Sequence, residues 1–341
     1  MTEDNLTPDA FGDACRRITD NDRAPGERLE AARSLFDGLS RAAGLDGMKN
    51  AEKEMGLPNG VAISALDAAR CLLEFLRTGR FIEGLRLAIA EAQKRFPGER
   101  IRVLDAGCGP FALLALSQTT WYAPEEVGFI LLDCQADVLS AAERCVGALQ
   151  GGDYVIDVVC ADATRYVSPE GSEPHVLVTE TMTHGLGREP QVAIASNLVK
   201  QLVPEGVMVP EAVTVELALL HPPTTENQPP PRWSKPVVRL DLESARHGLG
   251  RAKFEVPAPV NNERFFLTTR IDVFGPSRLE MNDCSLTLPV YLGGGERLRG
   301  GESVAFSYRS SGFPGIIWEG VGYCNPPGRM PEPEAENVGT L

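Results

Sequence analysis

A chain of 341 residues, 43% hydrophobic and 23% charged, has enough apolar material for one large core or two domains. A formal net charge of −14 disfavours nucleic acid and anionic membranes, because neutralising phosphates takes clustered Lys and Arg. No run approaches the roughly 20 apolar residues of a membrane span, so no membrane partner is expected.

The eight cysteines are scattered, with no CxxC and no Cys/His ligand spacing, which argues against zinc and for reduced thiols. The opening "MTEDNLTPDAFGDACRR" lacks a basic-then-apolar leader pattern, and a cytoplasmic location is the expectation.

Residues 1–57 read as helical. Within 27–44, Leu29, Ala32, Leu35, Phe36 and Leu39 recur at helical spacing. Ser64 suits the N-cap of a next helix, whose apolar face is Leu66, Ala69, Leu72, Leu73 and Leu76. "TGRF" breaks that pattern, which resumes from Phe81 to Ala92. The texture then changes. "IRVLDAG" and "VGFILLD" are β-rich runs flanking a small-residue helix at 111–118. A helix over 135–149 carries Val138, Ala141, Ala142, Cys145 and Leu149 on one face. "YVIDVVCAD" and "HVLVTE" read as two more buried strands, followed by a helix over 191–203. Strands alternating with helices predict βαβ units and a parallel sheet.

After Glu205 the helical pattern stops. "AVTVELALL" alternates Val213, Val215, Leu217 and Leu219, and a Pro-rich loop "HPPTTENQPPPRW" follows. The runs "VVRLDL", "RFFLTTRIDVF", "SLTLPVYL", "ESVAFSY" and "PGIIWEGVGY" then predict an antiparallel β-domain, a barrel or a sandwich. The predicted class is α/β: an N-terminal helical segment (1–62), a Rossmann-like domain (63–210), a β-barrel-like substrate domain (211–325) and a polar, disordered tail (326–341).

Asp105-x-Gly107-x-Gly109, at a strand end and opening a helix, is a ligand-binding device, because glycine lets the backbone approach a ligand closely. Taken alone it is weak evidence, the minority alternative being no more than a tight turn, and its spacing is not the G-x-G-x-x-G of dinucleotide folds. Asp133 ends the second strand, 24 residues past Gly109, where an acid bonds ribose hydroxyls. Asp162 and Ala163 follow the third strand and suit the rim of an adenine.

In this order, "VLDAGCG", "LLDCQA", "CADAT" and "VTETM" resemble the motifs of class I S-adenosylmethionine-dependent methyltransferases. The resemblance implies that Asp105, Gly107 and Gly109 shape the methionine pocket. It gives the ribose to Asp133, beside Cys134, and the adenine to Asp162 and Ala163. Phe111 stands where the family often has a third glycine, implying a tighter turn or an apolar pocket wall.

"VTETMTHGLGREPQVA" sets Glu180 at a strand end and Glu189 nine residues on. This resembles the protein arginine methyltransferases, whose paired glutamates grip a guanidinium. A planar cation with five donors is well matched by two carboxylates. The plainer alternatives are a helix N-terminal acid at Glu189 and a cofactor contact alone at Glu180. "LRTGRFIEGL" resembles the segment preceding the cofactor turn in that family. It implies that Arg77 pairs with the carboxylate of S-adenosylmethionine, that Phe81 covers the cofactor, and that Glu180 also touches it. The family's Thr-His-Trp motif is missing. The nearest substitutes are Asp283, within "MNDCSLTLPVYL", and His184, inside the glutamate loop. No clear dimerisation arm is visible, which leaves a homodimer open.

The expected activity is methyl transfer to a guanidino nitrogen. Glu180 and Glu189 would hold the acceptor, and one of them, His184 or Asp283 would take the proton. Free arginine or another small guanidino metabolite of a biosynthetic pathway is the expected acceptor. The alternatives are a peptide arginine, a non-guanidine natural product, or a binding module that has lost catalysis.

Overall fold

The structure, a computed structural model, describes residues 6–222, 230–320 and 323–324. Two helices open it: α1 (Pro8–Thr19), whose N-cap Thr7 side chain accepts from the Ala10 amide, and α2 (Pro25–Ala43), which ends on Gly44 at φ +63°. Helix does not continue to residue 57. Met55–Leu57 (β1) and Gly60–Ala62 (β2) pair as an antiparallel hairpin around Pro58 and Asn59, residue types that favour a turn over a helix.

Ser64 caps α3 (Ala65–Arg70) as expected, accepting from the Asp67 amide. The next helix, α4 (Phe75–Arg95), runs through "TGRF" without a break. Gly79 is there for proximity: a Cβ would lie 2.7 Å from the Ile18 carbonyl oxygen of α1. Further along, a Cβ on Gly84 would lie 2.4 Å from Val273 Cγ1, and Ser277 Oγ donates to the Arg80 carbonyl at 2.8 Å. One helix thus packs on the N-terminal pair at one point and on the C-terminal half at another.

The central layer alternates β3 (Ile101–Ala106), α5 (Leu113–Ser117), β4 (Val127–Asp133), α6 (Ala136–Ala148), β5 (Val155–Cys160), β6 (Val176–Thr179), α7 (Gln191–Leu198) and β7 (Val207–Val209). Its five strands are all parallel, in the order β5-β4-β3-β6-β7. β3 lies where the order reverses, so the loops after it open a crevice at the carboxyl edge. β5 is the outer strand and exposes Ile156, Asp157 and Cys160, so the run "YVIDVVCAD" is not buried. α5 and α7 are shorter than their sequence patterns, each giving way to a 3-10 turn.

The C-terminal half contains β8 (Ala212–Leu220), β9 (Trp233–Asp241), α8 (Leu242–His247), β10 (Ala252–Glu255), β11 (Arg264–Phe274), β12 (Ser277–Leu279), β13 (Val290–Tyr291), β14 (Ser303–Arg309), β15 (Gly315–Gly320) and β16 (Tyr323–Cys324). They form two antiparallel sheets. One is β12-β11-β8-β9 with β13 also on β11; the other is β10-β14-β15-β16. An edge-on contact of Trp233 on β9 with Phe254 on β10, ring centroids 5.8 Å apart, ties them together. No ladder closes the two into a continuous barrel among the described residues.

Three expectations change in this half. α8 interrupts the all-β pattern, with Asp241 capping it through the Ser244 amide. "SLTLPVYL" is a 3-10 turn at Ser285–Thr287 followed by only two strand residues. β8 is buried on both faces, since Ala218 and Leu220 form a second apolar cluster with Phe266 behind the alternating valines and leucines. The polar tail at 326–341 and residues 223–229 of the Pro-rich loop lie outside the described residues. Among those described, no helix is long and apolar enough to cross a membrane.

Gly79→Ala should destabilise the fold by about 1–3 kcal/mol, because a backbone oxygen cannot yield as a flexible side chain can. Urea unfolding measures this; an unchanged midpoint would show that the α1–α4 approach is not tight.

Candidate active site

Four of the five parallel strands deliver a sequence-predicted residue to the carboxyl edge. β3 brings Asp105 and the glycine turn, β4 Asp133, β5 Asp162, and β6 Glu180. These residues, with Arg77, Phe81, Cys134, Ala163 and Glu189, line one pocket.

The turn after β3 is cut to glycine. Gly107 (φ +82°) and Gly109 (φ +66°) adopt left-handed backbone. A Cβ on Gly107 would lie 2.3 Å from Thr181 Cγ2, so only glycine keeps this side of the pocket open. The Gly107 and Cys108 amides donate to the Leu132 carbonyl, fixing the turn against the end of β4. Phe111, in place of a third glycine, is buried, lines the pocket and meets Phe36 edge-on, with ring centroids 6.2 Å apart. The departure from the family pattern makes an apolar wall.

Asp105 is 2% exposed, and its Oδ2 has no hydrogen-bond partner among the described residues. Burial, reinforced by the charges of Asp133 and Glu180, pushes its carboxyl up to about 7. A buried acceptor without a partner fits a ligand that brings a donor or a positive charge. Asp133 accepts from the Gly109 amide at 3.3 Å and the Gln135 amide at 3.0 Å, which fixes its carboxylate at the β4 end. Asp162 accepts from the Thr164 amide and hydroxyl through the same Oδ1. Asn197 on α7 holds the Ala163 carbonyl at 2.9 Å. Open glycine backbone, a fixed acid after β4, an acid and a small residue after β5, and an orphaned carboxylate oxygen together fit S-adenosylmethionine.

Arg77 sits inside α4 with 8% of its side chain exposed. Nη2 meets Glu180 at 2.5 Å and Nη1 meets Glu74 at 2.9 Å, while Nε is buried without a hydrogen-bond partner among the described residues. Burial opposes its charge, but Glu180 outweighs this and raises the guanidinium well above its ordinary value. Arg77 is therefore engaged by two protein carboxylates. Glu74 is anchored in turn by the Ser285 amide at 2.7 Å and the Ser285 hydroxyl at 2.8 Å. Burial pushes Glu74 up, yet these hydrogen bonds and Arg77 hold its carboxyl below the usual value.

Glu189 is 6% exposed and makes no ion pair or hydrogen bond through its carboxylate among the described residues. Burial first, and the Glu180 charge second, push it up to about 8. Glu180 is also raised by burial, with Arg77 pulling against the shift. The loop joining the two glutamates is braced from α7. Gln191 Oε1 accepts from the Thr181 amide and hydroxyl at 2.9 Å each, and its Nε2 donates to the Thr179 carbonyl at 3.1 Å.

Two sequence candidates do not join the pocket. His184 lies in the glutamate loop but turns towards the Ser285 backbone, and burial lowers its imidazole. The Asp283 carboxylate caps its own turn by accepting from the Glu280 amide at 2.8 Å. The segment "MNDCSLTL" does reach the site, but through Ser285, two positions on. Sequence reading missed Glu74, Ser285 and Gln191. Only Glu74 carried a signal, three residues before Arg77 on one helix, where opposite charges meet.

Asp133→Ala should weaken S-adenosylmethionine binding roughly ten- to hundredfold, the scale of a hydrogen bond to a charged group. Calorimetric titration reads it, and an unchanged affinity in a normally melting variant would remove Asp133 from the ligand's reach.

No protein-family model matches the chain, and no curated protein matches it. A solved structure of the Trypanosoma brucei PRMT1 enzyme-prozyme heterotetrameric complex with AdoHcy is similar, with a TM-score of 0.51 at 16% sequence identity. The match covers 73% of this chain and 90% of that one. The likeness is one of fold: a parallel-sheet half followed by an antiparallel β half.

Proposed function

We propose that the chain is an S-adenosylmethionine-dependent N-methyltransferase acting on a guanidino nitrogen of a small molecule such as free arginine. The observation that carries this reading is the contrast between two buried carboxylates in one pocket: Glu180 is committed to Arg77, and Glu189 has no hydrogen-bond or ion-pair partner among the described residues.

Two carboxylates facing one pocket with little solvent cannot both ionise cheaply, so without an acceptor Glu189 keeps its proton. An arriving guanidinium replaces that proton as the counter-charge. Its planar fork can bond Glu189 and Glu180 together, which orients one nitrogen across the pocket. Charge drawn towards the glutamates concentrates the lone pair on the remaining nitrogen. S-adenosylmethionine, when bound, supplies an electrophilic methyl on a sulfonium. Asp133 and the glycine turn fix the nucleoside end, and Arg77 fixes Glu180, so much of the rate comes from alignment. The acceptor nitrogen must lose a proton as it gains the methyl. Glu189, poised near 8 and within the pocket, suits that role; His184 and Asp283 lie outside the lining and do not.

The pH dependence follows from the direction of the Glu189 shift. Below about 8 its carboxyl is neutral and the cationic acceptor loses one counter-charge, so kcat/KM should climb as pH rises through that value. Glu189→Gln should remove this rise and lower kcat/KM roughly thirtyfold or more, the cost of truncating one side of a buried charge pair. Mass spectrometry with free arginine, other guanidino compounds and a guanidine-free amine panel provides the readout. Methylation of the amines alone, or wild-type turnover in the Gln variant, would overturn the guanidino reading.

A further inference from the structure

The pocket has a wall that the methyltransferase motifs do not supply. Leu57, Val61, Ala62 and Ile63, on and just after the β1–β2 hairpin, line it; Val61 lies against the glutamate loop, while the Ile63 carbonyl accepts from Gln135 Nε2 near Asp133. The hairpin belongs to the N-terminal segment, yet it is fastened to two distant parts of the chain. The Val61 amide donates to the Arg188 carbonyl at 3.0 Å, beside Glu189. Glu54, just before the hairpin, pairs with the Arg188 guanidinium at 2.5 Å. At the turn, the Pro58 carbonyl accepts from the Gly312 amide at 2.9 Å, and the Arg188 amide donates to the Pro314 carbonyl at 3.1 Å. The glutamate loop, the hairpin and the β14–β15 loop are thus bonded pairwise into a ring.

The approach is too close for a side chain at its centre. Gly60 has φ +141°, and a Cβ there would lie 2.6 Å from the Arg188 carbonyl oxygen. This hairpin is consequently seated on the glutamate loop and not merely near it.

We infer that the β1–β2 hairpin is the specificity element of the acceptor site: it bridges the glutamate loop and the β-domain and excludes an arginine carried within a polypeptide. The inference rests on the guanidino reading proposed above. A polypeptide acceptor needs an open groove with two ways out, so that chain can continue on both sides of the modified arginine. The hairpin joins the two banks of such a groove. A small guanidino compound needs one enclosed cavity, and its aliphatic stem finds apolar walls in Leu57 and Val61. Excluding the larger acceptor by steric closure is a stronger discriminator than adding contacts to the smaller one. The exposed Glu54–Arg188 pair contributes little stability by itself, so the seating depends mainly on the backbone bonds and the Gly60 approach.

The test compares kcat/KM for free arginine and for an arginine-rich peptide in three proteins: wild type, Gly60→Val and Gly60→Ala. Gly60→Val lifts the hairpin from the Arg188 carbonyl; Gly60→Ala meets the same oxygen with a single methyl. The expected result is strong preference for the small acceptor in the wild type. That preference should narrow by roughly tenfold or more in Gly60→Val and less in Gly60→Ala. A melting curve and S-adenosylmethionine titration verify that each variant is folded, and Gly60→Ala decides the matter if Gly60→Val is not. A wild type that methylates the peptide as well as free arginine would overturn the hairpin's role and leave guanidino methylation standing. So would an unchanged preference in both folded variants, or in Gly60→Ala alone if Gly60→Val does not fold. No product from any guanidine would overturn both.

Discussion

Arg77 is a guanidinium held inside a protein, and much of the site's arrangement follows from keeping it there. Removing an unpaired cation from water costs several kcal/mol after relaxation, so its neighbours must supply negative charge and acceptors. Glu180 comes from the end of β6 and Glu74 from the start of α4, while Ser285 reaches Glu74 from the C-terminal half. Three separated stretches converge because one cation needs them. Docking of the β-domain and placement of the first glutamate are therefore the same set of hydrogen bonds.

That commitment shapes the second glutamate. Arg77 already faces two carboxylates, Glu180 and Glu74, so an ionised Glu189 has no counter-charge left and burial keeps its proton in place until a cation arrives. The pocket is receptive to a cation that takes that proton's place. Asp105, buried with Oδ2 unpartnered among the described residues, adds a second such carboxyl. A pocket built this way favours positively charged ligands and leaves neutral ones with carboxylates to desolvate.

Much of the site was legible in the sequence because strand runs followed by acids fix positions well. Four apolar runs ending near Asp105, Asp133, Asp162 and Glu180 can form a parallel sheet only with those acids along one edge. What escaped were features set by contacts between distant segments. Gly79 reads as a helix breaker, but its single-residue cost is outweighed by packing against Ile18. The hairpin at 55–62 is too short to show alternation, and its partners lie beyond residue 180. Asp283 and Ser285 are two residues apart, and only the backbone path after β12 decides which one faces Glu74. An exposed edge strand such as β5 looks in sequence like its buried neighbours, because apolar residues do not reveal which strands lack a partner.

The unbroken α4 has a mechanical consequence. Its 21 residues span about 30 Å as one rod, and Arg77 at the pocket lies within about 10 Å along it of Arg80 and Gly84, which pack on β12 and β11. The rod has no proline and no kink at which to flex. Because the pocket's cation and the seat of the β-domain share this rod, the two halves cannot hinge apart along it without also moving Arg77. The frame that holds the pocket's cation and the frame that seats the β-domain are thus one body.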